Sequence, residues 1–447
     1  MKSDEKGKII VRQLFSEELQ NTRNIRIFLP PSYRETETKR YPVLYMHDGQ
    51  NIFSGSEGLF GGSWEVDLTA EGLIHAGIIE EIIIVGIDNN SERSDEYCHV
   101  APDKFSAGRM GLTDYERKKN PKGIRYENFL IHTVKPYLDA HFRTLPDREN
   151  TALMGSSLGG LVTYFIGLRH PEVFGKLGII SPAFHWLDFN RLLPLSGQPI
   201  KIWMDAGEGE GHYVENSRRV VGNLLAQGMK AGENLAYYQV PGAIHNEADW
   251  RARVHMPLIF LFGSIGSPVS CKLLGRKVFG IRGMQYRQIN PEICFPNNLR
   301  MTVLDGEYSV EDESILKVDS FGTVLPVKQG CTKVRFSYEG CIAVEEYRII
   351  EELSDLVDIH LKVIAPATEE KIYVTGCGGM HVLHRENDGS YGCTFTVPRD
   401  WGFPVTVMKG EKHIAEADVH SGRFKSRTIF AKESMDITFQ IGAWMEQ

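Results

Sequence analysis

Cysteine is scarce in this chain and poorly arranged for structural use. Seven cysteines occur in 447 residues. The count is odd and no C-x-x-C pair is present, which excludes a zinc ribbon and a complete disulfide framework. Six of them (Cys271, Cys294, Cys331, Cys341, Cys377 and Cys393) follow residue 270 and only Cys98 precedes it. Reduced thiols in a cytosol are the default reading, and the skew marks a change of composition. Long apolar runs are missing too. The longest, IIEEIIIVGI and PLIFLF, fall far short of the roughly 20 residues a membrane span needs. The opening MKSDEKGKII has no apolar signal segment, so a cytoplasmic protein without membrane contact is expected. Nor is there an excess of positive charge. The net charge is −8 and no basic cluster stands out, which argues against a nucleic-acid partner.

What is present is ordinary globular composition, 42% hydrophobic and 24% charged, in a chain long enough for two or three domains. Short apolar runs alternate with helical-period segments as far as residue 265, the pattern of an α/β sheet with crossover helices. The strand candidates are YPVLYM (41–46), IIIVGI (82–87), TALM (151–154), LGIIS (177–181), KIWMD (201–205) and AYYQV (236–240). Tyr126, Phe129, Leu130, Val134, Tyr137, Leu138 and Phe142 form one helical stripe, and Pro136 within it predicts a kink. After the last helix (248–262) comes the breaker-rich GSIGSP. From there the apolar period falls to two, as in Val334, Phe336, Tyr338 and in Val357, Ile359, Leu361, Val363, with Glu339-Gly340 as a hairpin turn. The division expected is an α/β domain over 1–267 and two all-β sandwich modules over 268–352 and 353–447, joined near EELSD (351–355).

The chemistry concentrates at Gly155-Ser156-Ser157-Leu158-Gly159. This is a G-x-S-x-G pattern with a strand candidate before it and a helix candidate after it, the setting of a nucleophile elbow. Ser157 is the expected nucleophile. A serine hydroxyl needs a base, and the base needs an orienting carboxylate, downstream in the order Ser, acid, His. His245, in the loop after AYYQV, is the base candidate. His185 and His212 also lie on loops. The acid should follow KIWMD, where Asp205, Glu208 and Glu210 compete. The oxyanion requires N–H donors, each worth about 10²- to 10³-fold in rate. One is Leu158 N–H, and the other is expected from Gly49 or Gln50 in the loop after YPVLYM.

YPVLYMHDGQNIF, IIIVGIDNNSERSDEY, GSSLGGLVTYFIGLRHPEVFGKLGIISPAF, DAGEGEG and GAIHNEADWRAR together resemble the α/β-hydrolase esterase family that includes esterase D, enterochelin esterases and family 1 carbohydrate esterases. The resemblance runs in order over about residues 10–262. It implies an α/β-hydrolase fold with Ser157 as nucleophile, His245 as base and Glu210 as acid, Asp205 being held in reserve. It also implies that Asp48, Trp64 and the polar loop with Arg93, Glu96 and Tyr97 lie near the pocket mouth as substrate-binding residues. Residues 308–340 look like a bacterial Ig-like module of group 2, and 356–447 are similar to starch-binding-like or early-set sandwiches. Where glucan-binding relatives present a tryptophan, this chain has Gly376-Cys377-Gly378-Gly379-Met380. Trp401 and Trp444 are the alternatives for a sugar platform. His381 and His384 are too few for zinc.

The expectation from these residues is a serine carboxylic-ester hydrolase needing no metal or cofactor. Its substrate would be a small-molecule or oligosaccharide ester, acyl or feruloyl, with a siderophore lactone as the rival. The competing class is a binding or scaffold protein with a vestigial hydrolase. The β-modules are also expected to be able to form a homodimer.

Overall fold

A computed structural model describes residues 6–56, 62–100, 120–187, 189, 192–283, 286–366, 368–376, 379–419 and 425–445. Cys377 and Gly378, singled out above, lie outside the described residues. Six apolar runs form strands β3 (Val43–His47), β4 (Ile83–Ile87), β5 (Thr151–Ser156), β6 (Lys176–Ile180), β7 (Lys201–Gly207) and β8 (Leu235–Val240). All their mutual pairings are parallel. Every residue of β3, β4 and β5 is buried, because helices cover both faces and neither face needs polar residues.

Two strands precede these six, β1 (Lys8–Ser16) and β2 (Asn21–Leu29), which form an antiparallel hairpin. Their apolar pattern is faint in the sequence, because β1 is half-exposed and carries Arg12 and Gln13 among its apolar residues. The sheet order is β1-β2-β4-β3-β5-β6-β7-β8, that of an α/β-hydrolase.

The helices that position the site are α1 (Val66–His75), α2 (Gly123–Phe129), α3 (Lys135–His141), α4 (Leu158–Arg169), α5 (His212–Ala226), α6 (Glu247–Arg253) and α7 (His255–Phe262). Between α2 and α3 the chain widens into a π turn over Leu130–Val134. Pro136 stands in the first turn of α3, so the kink expected from it is realised as a change of helical register. A proline there cannot donate to the carbonyl one turn back, and the widened turn absorbs the loss.

Beyond Phe262 the regular elements of the described chain are strands, apart from a single 3-10 turn at Pro296–Asn298. The Glu339-Gly340 turn is the expected hairpin, with both residues at positive φ (42° and 82°) joining strands 330–338 and 341–352. The first β region has a four-stranded, a three-stranded and a two-stranded sheet. It packs on the edge strand β8: Tyr238 donates to Glu292 at 2.8 Å, and Gln239 N–H donates to Thr302 Oγ1 at 3.0 Å. Its buried residues Phe279, Ile293, Met301 and Phe336 share one continuous core with Trp203, Tyr238 and Phe260 of the hydrolase.

The second β region, residues 356–444, has its own core built on Val357, Ile359, Val374, Val405 and Phe439. Its strand Leu356–Ile364 alternates strictly between exposed and buried residues, as a strand with one wet face must. His381 stacks on Phe395 at 4.8 Å. His384, three residues along the same strand, faces the opposite way.

Candidate active site

Ser157 stands between β5 and α4, with φ 59° and ψ −121°. A non-glycine residue is rarely held there, and the cost is about 1–3 kcal/mol. The glycines around it explain how the turn is built. A Cβ on Gly155 would lie 2.8 Å from the Gly159 backbone and 2.8 Å from the His47 ring, so strand and helix approach more closely than any side chain permits. The elbow is pinned by Ser157 N–H, which donates to Ile180 O at 3.0 Å, and by Ala183 N–H, which donates to Ser157 O at 3.0 Å. Leu158 is the first residue of α4. Its N–H is one of the group with no acceptor within the helix.

Glu210 follows β7 in a one-turn helix, Glu208–Glu210. Its Oε2 accepts from His245 Nδ1 at 3.2 Å, and its Oε1 accepts from Ser181 Oγ at 2.7 Å, with Arg253 Nη2 3.6 Å away. Burial raises the carboxyl pKa, but the His245 charge and hydrogen bond, Arg253 and the Ser181 hydroxyl outweigh it and hold Glu210 below its ordinary range. The Glu210 side chain has no exposed surface, whereas that of His245 is 26% exposed. The pair thus has a sealed end and an open end.

Asp205 lies within β7, fully buried, and has different partners. Trp203 Nε1 donates to it at 2.8 Å and Arg253 Nε at 3.1 Å. Burial raises its pKa against the pull of Arg253 and Trp203. Among the described residues no bond joins Asp205 to His245. Glu208 accepts from Gly242 N–H at 3.0 Å, which ties the Glu208–Glu210 turn to the loop that carries His245.

Ser181, directly after β6, joins Ser157 to this pair. Its carbonyl accepts from Ser157 N–H at 3.2 Å. Its hydroxyl donates to Glu210 and accepts from Arg253 Nη2 at 2.7 Å and Trp250 Nε1 at 3.2 Å. Among the described residues no hydrogen bond joins Ser157 Oγ to the His245 ring, a contact that in unliganded sites often tightens only with substrate bound.

The His47–Asn51 loop sits beside the elbow. Asp48 takes a left-handed conformation (φ 59°), and Gly49–Asn51 form one 3-10 turn. A Cβ on Gly49 would come within 2.5 Å of the Gly86 carbonyl carbon of β4, so only glycine lets the loop lie this low. Asn51 N–H closes the turn onto Asp48 O at 3.0 Å. The N–H groups of Gly49 and Gln50 precede that bond and have no acceptor inside the turn. Gln50 Oε1 accepts from Asn89 N–H at 3.0 Å.

The residues expected at the pocket mouth are mostly interior instead. Arg93 makes a two-pronged contact with Asp48 at 2.7 and 2.8 Å, and Tyr97, fully buried, accepts from Asp48 N–H at 3.2 Å. Glu96 is fully buried against Arg23, since a buried guanidinium needs a carboxylate. Trp64 is 2% exposed and packs on Trp250 at 5.5 Å. Glu96, Tyr97 and Trp64 are thus interior, whereas the Arg93 side chain keeps 28% of its surface exposed where it pairs with Asp48.

The open side of His245 carries groups the motifs did not assign. Tyr213 lies 4.6 Å from the His245 ring, His212 4.9 Å from Tyr213, and His185 5.1 Å from His212. Burial and the neighbouring imidazoles push His185 down to about 3, and burial with the His245 charge also lowers His212. Both are therefore neutral, ring-shaped walls at pH 7. Trp401 of the second β region stands 5.8 Å from His212. A cavity of about 780 Å³ opens beyond it, lined among others by Gly211, His212, Arg276, Arg399 and Trp401.

Residues 16–261 match the family described as "Putative esterase". An uncharacterised Bacillus subtilis protein, YbbA, is 24% identical over 259 residues, 56% of this chain and 96% of that protein. An endo-1,4-beta-xylanase/feruloyl esterase of Xylanibacter ruminicola is 27% identical over 251 residues, 55% of this chain and 30% of that protein. A solved ferulic acid esterase is 18% identical with a TM-score of 0.43, covering 57% of this chain and 98% of its own. With more than half of its length matched, the chain belongs to this esterase family of carboxylic ester hydrolases.

Proposed function

We propose that the protein is a serine esterase in which Ser157 attacks an ester carbonyl, His245 takes and returns the proton, and Glu210 orients and stabilises the imidazole. The observation that carries this reading is the Glu210–His245 hydrogen bond at 3.2 Å, tied through Ser181 to a serine held at φ 59°. In the reaction Ser157 Oγ bonds to the acyl carbon as its proton passes to His245 Nε2. The carbonyl electron pair moves to the oxygen, where Leu158 N–H and an N–H of Gly49 or Gln50 receive it. Collapse expels the alcohol, which takes the proton from His245. Water then repeats the sequence and frees the acid. Asp205 belongs to the support: it holds Arg253, which in turn bonds Ser181.

The substrate proposed is an acyl or feruloyl ester of an oligosaccharide. Tyr213 and the neutral imidazoles of His185 and His212 offer flat faces beside His245, which suit an aromatic acyl group, and a relative named as a feruloyl esterase supports the choice. The test compares p-nitrophenyl acetate, a feruloylated oligosaccharide and a catechol-acyl siderophore lactone with wild type and Ser157→Ala. The expected result is turnover lost by at least about 10⁴-fold in the variant and the highest kcat/KM on the feruloyl ester. Undiminished turnover in Ser157→Ala removes the serine from the mechanism. Preference for the lactone moves the substrate to the siderophore class.

A further inference from the structure

The second β region touches the residues on both sides of Glu210 and the residue before His245. A Cβ on Gly211 would lie 2.2 Å from Trp401 Cε2 and 2.4 Å from its Nε1, so the indole rests on the backbone of the residue after Glu210. A Cβ on Gly209, the residue before, would lie 2.7 Å from Phe430 Cε2 and 3.0 Å from the Gly402 nitrogen. Gly402 in turn fits over Ile244, whose Cγ2 would be 2.1 Å from a Cβ there. The acid and base loops already form one unit, because Gly209 N–H donates to Ala243 O at 2.9 Å. Trp401, Gly402 and Phe430 cap that unit from outside.

The cap is itself rigidly mounted. Trp401 and Gly402 pair with Ala431 and Phe430 in adjacent antiparallel strands. Asp400 forms an ion pair with Arg276 of the first β region. Arg399 donates from Nε to Ser354 O and from Nη1 to Lys432 O, both at 2.8 Å. The elements that present Trp401 are thereby fastened to both the first β region and their own sheet.

We infer that Trp401 and Phe430, carried by the C-terminal β-sandwich, are positioning residues for the Glu210 and His245 loops, so that the sandwich sets the turnover rate of the hydrolase in the same chain. This rests on the triad reading above. Neither side chain touches the reacting atoms. They fix where the acid stands, and a misplacement of about 1 Å in such a constellation can cost about 10²-fold in rate.

The test is kinetic, on the full chain with p-nitrophenyl acetate, a substrate too small to need the outer cavity. Trp401→Ala is expected to lower kcat by about 10- to 100-fold with KM within about twofold, and Trp401→Phe to restore most of it. The effect should vanish in a Glu210→Gln background, because a residue acting through Glu210 has nothing left to position. Phe430→Leu, a milder change, is expected to lower kcat less and in the same pattern, and it serves if Trp401→Ala does not fold. Full activity in Trp401→Ala, or an unchanged fractional loss in the Glu210→Gln background, overturns the positioning role while leaving the triad intact. Wild-type turnover in Glu210→Gln alone marks failure of the triad reading.

Discussion

The hydrolase sheet and the C-terminal sandwich are both built of strands, yet they treat polar groups in opposite ways. In β3 to β5 every residue is buried, so polar groups gather at the strand ends, where Ser157, Ser181 and Glu210 meet. In the strand Leu356–Ile364 every second residue faces water, and polar side chains are spread along the surface without converging. A parallel sheet covered on both faces concentrates chemistry at one edge, whereas a sheet with a wet face disperses it. The sandwich reaches the site at the seam formed by Trp401, Gly402 and Phe430.

The largest effect expected from this contrast is at the strand ends. Glu210→Gln should lower kcat by about 10²- to 10⁴-fold, while Asp205→Asn, on the same strand–loop unit, should mainly lower stability, on the order of 3 kcal/mol, by leaving Arg253 short of a buried partner. Steady-state kinetics beside urea melts checks both, and a larger kcat loss in Asp205→Asn would exchange the two roles.

A middle-sized effect concerns pH. Burial holds the His47 imidazole down to about 3 against an ordinary 6.5. Between those values the unfolded chain takes up a proton that the folded chain does not. His47 therefore favours the fold fully above pH 6.5, and that contribution is lost as pH falls toward 3. The melting temperature should drop from pH 7 to pH 5, and by fewer degrees in His47→Asn. An identical drop in both proteins would deny His47 this part.

Glu127 acts in a lower window. Burial opposes its ionisation, but His99, Arg169 and His170 bring it from 4.5 to about 2. Its contribution is present above pH 4.5 and fades as pH falls toward 2. Glu127→Gln should thus lower the melting temperature at pH 7 and cost progressively less below pH 4.5.

The smallest effect belongs to the wet faces. Val344, 52% exposed on strand 341–352, should tolerate Thr within about 0.5 kcal/mol and with unchanged kcat. A large loss at Val344 would mean that this face is covered in solution, as a homodimer through the β-modules would require.

The six parallel strands were readable because double burial writes an unbroken apolar run, and the elbow because glycines flank a serine between a strand and a helix. β1 and β2 were not, since a half-exposed edge hairpin carries charges through its pattern. The brace around the acid was also hidden. Ser181, Trp250 and Arg253 converge from two elements distant in sequence from Glu210, and only the place of Ser181 directly after the strand beside the elbow could have pointed to it. The sequence offers Trp401, with Trp444, as an alternative sugar platform or as a core or interface residue, and no local pattern relates it to Gly211, 190 positions away in sequence.

The most direct test of the central claim is intact-mass analysis after treatment with a fluorophosphonate, in wild type, Ser157→Ala and Glu210→Gln. One adduct on Ser157 is expected in wild type, none in Ser157→Ala and much slower labelling in Glu210→Gln. An adduct that persists in Ser157→Ala, or a folded wild-type protein that takes no label, would contradict it.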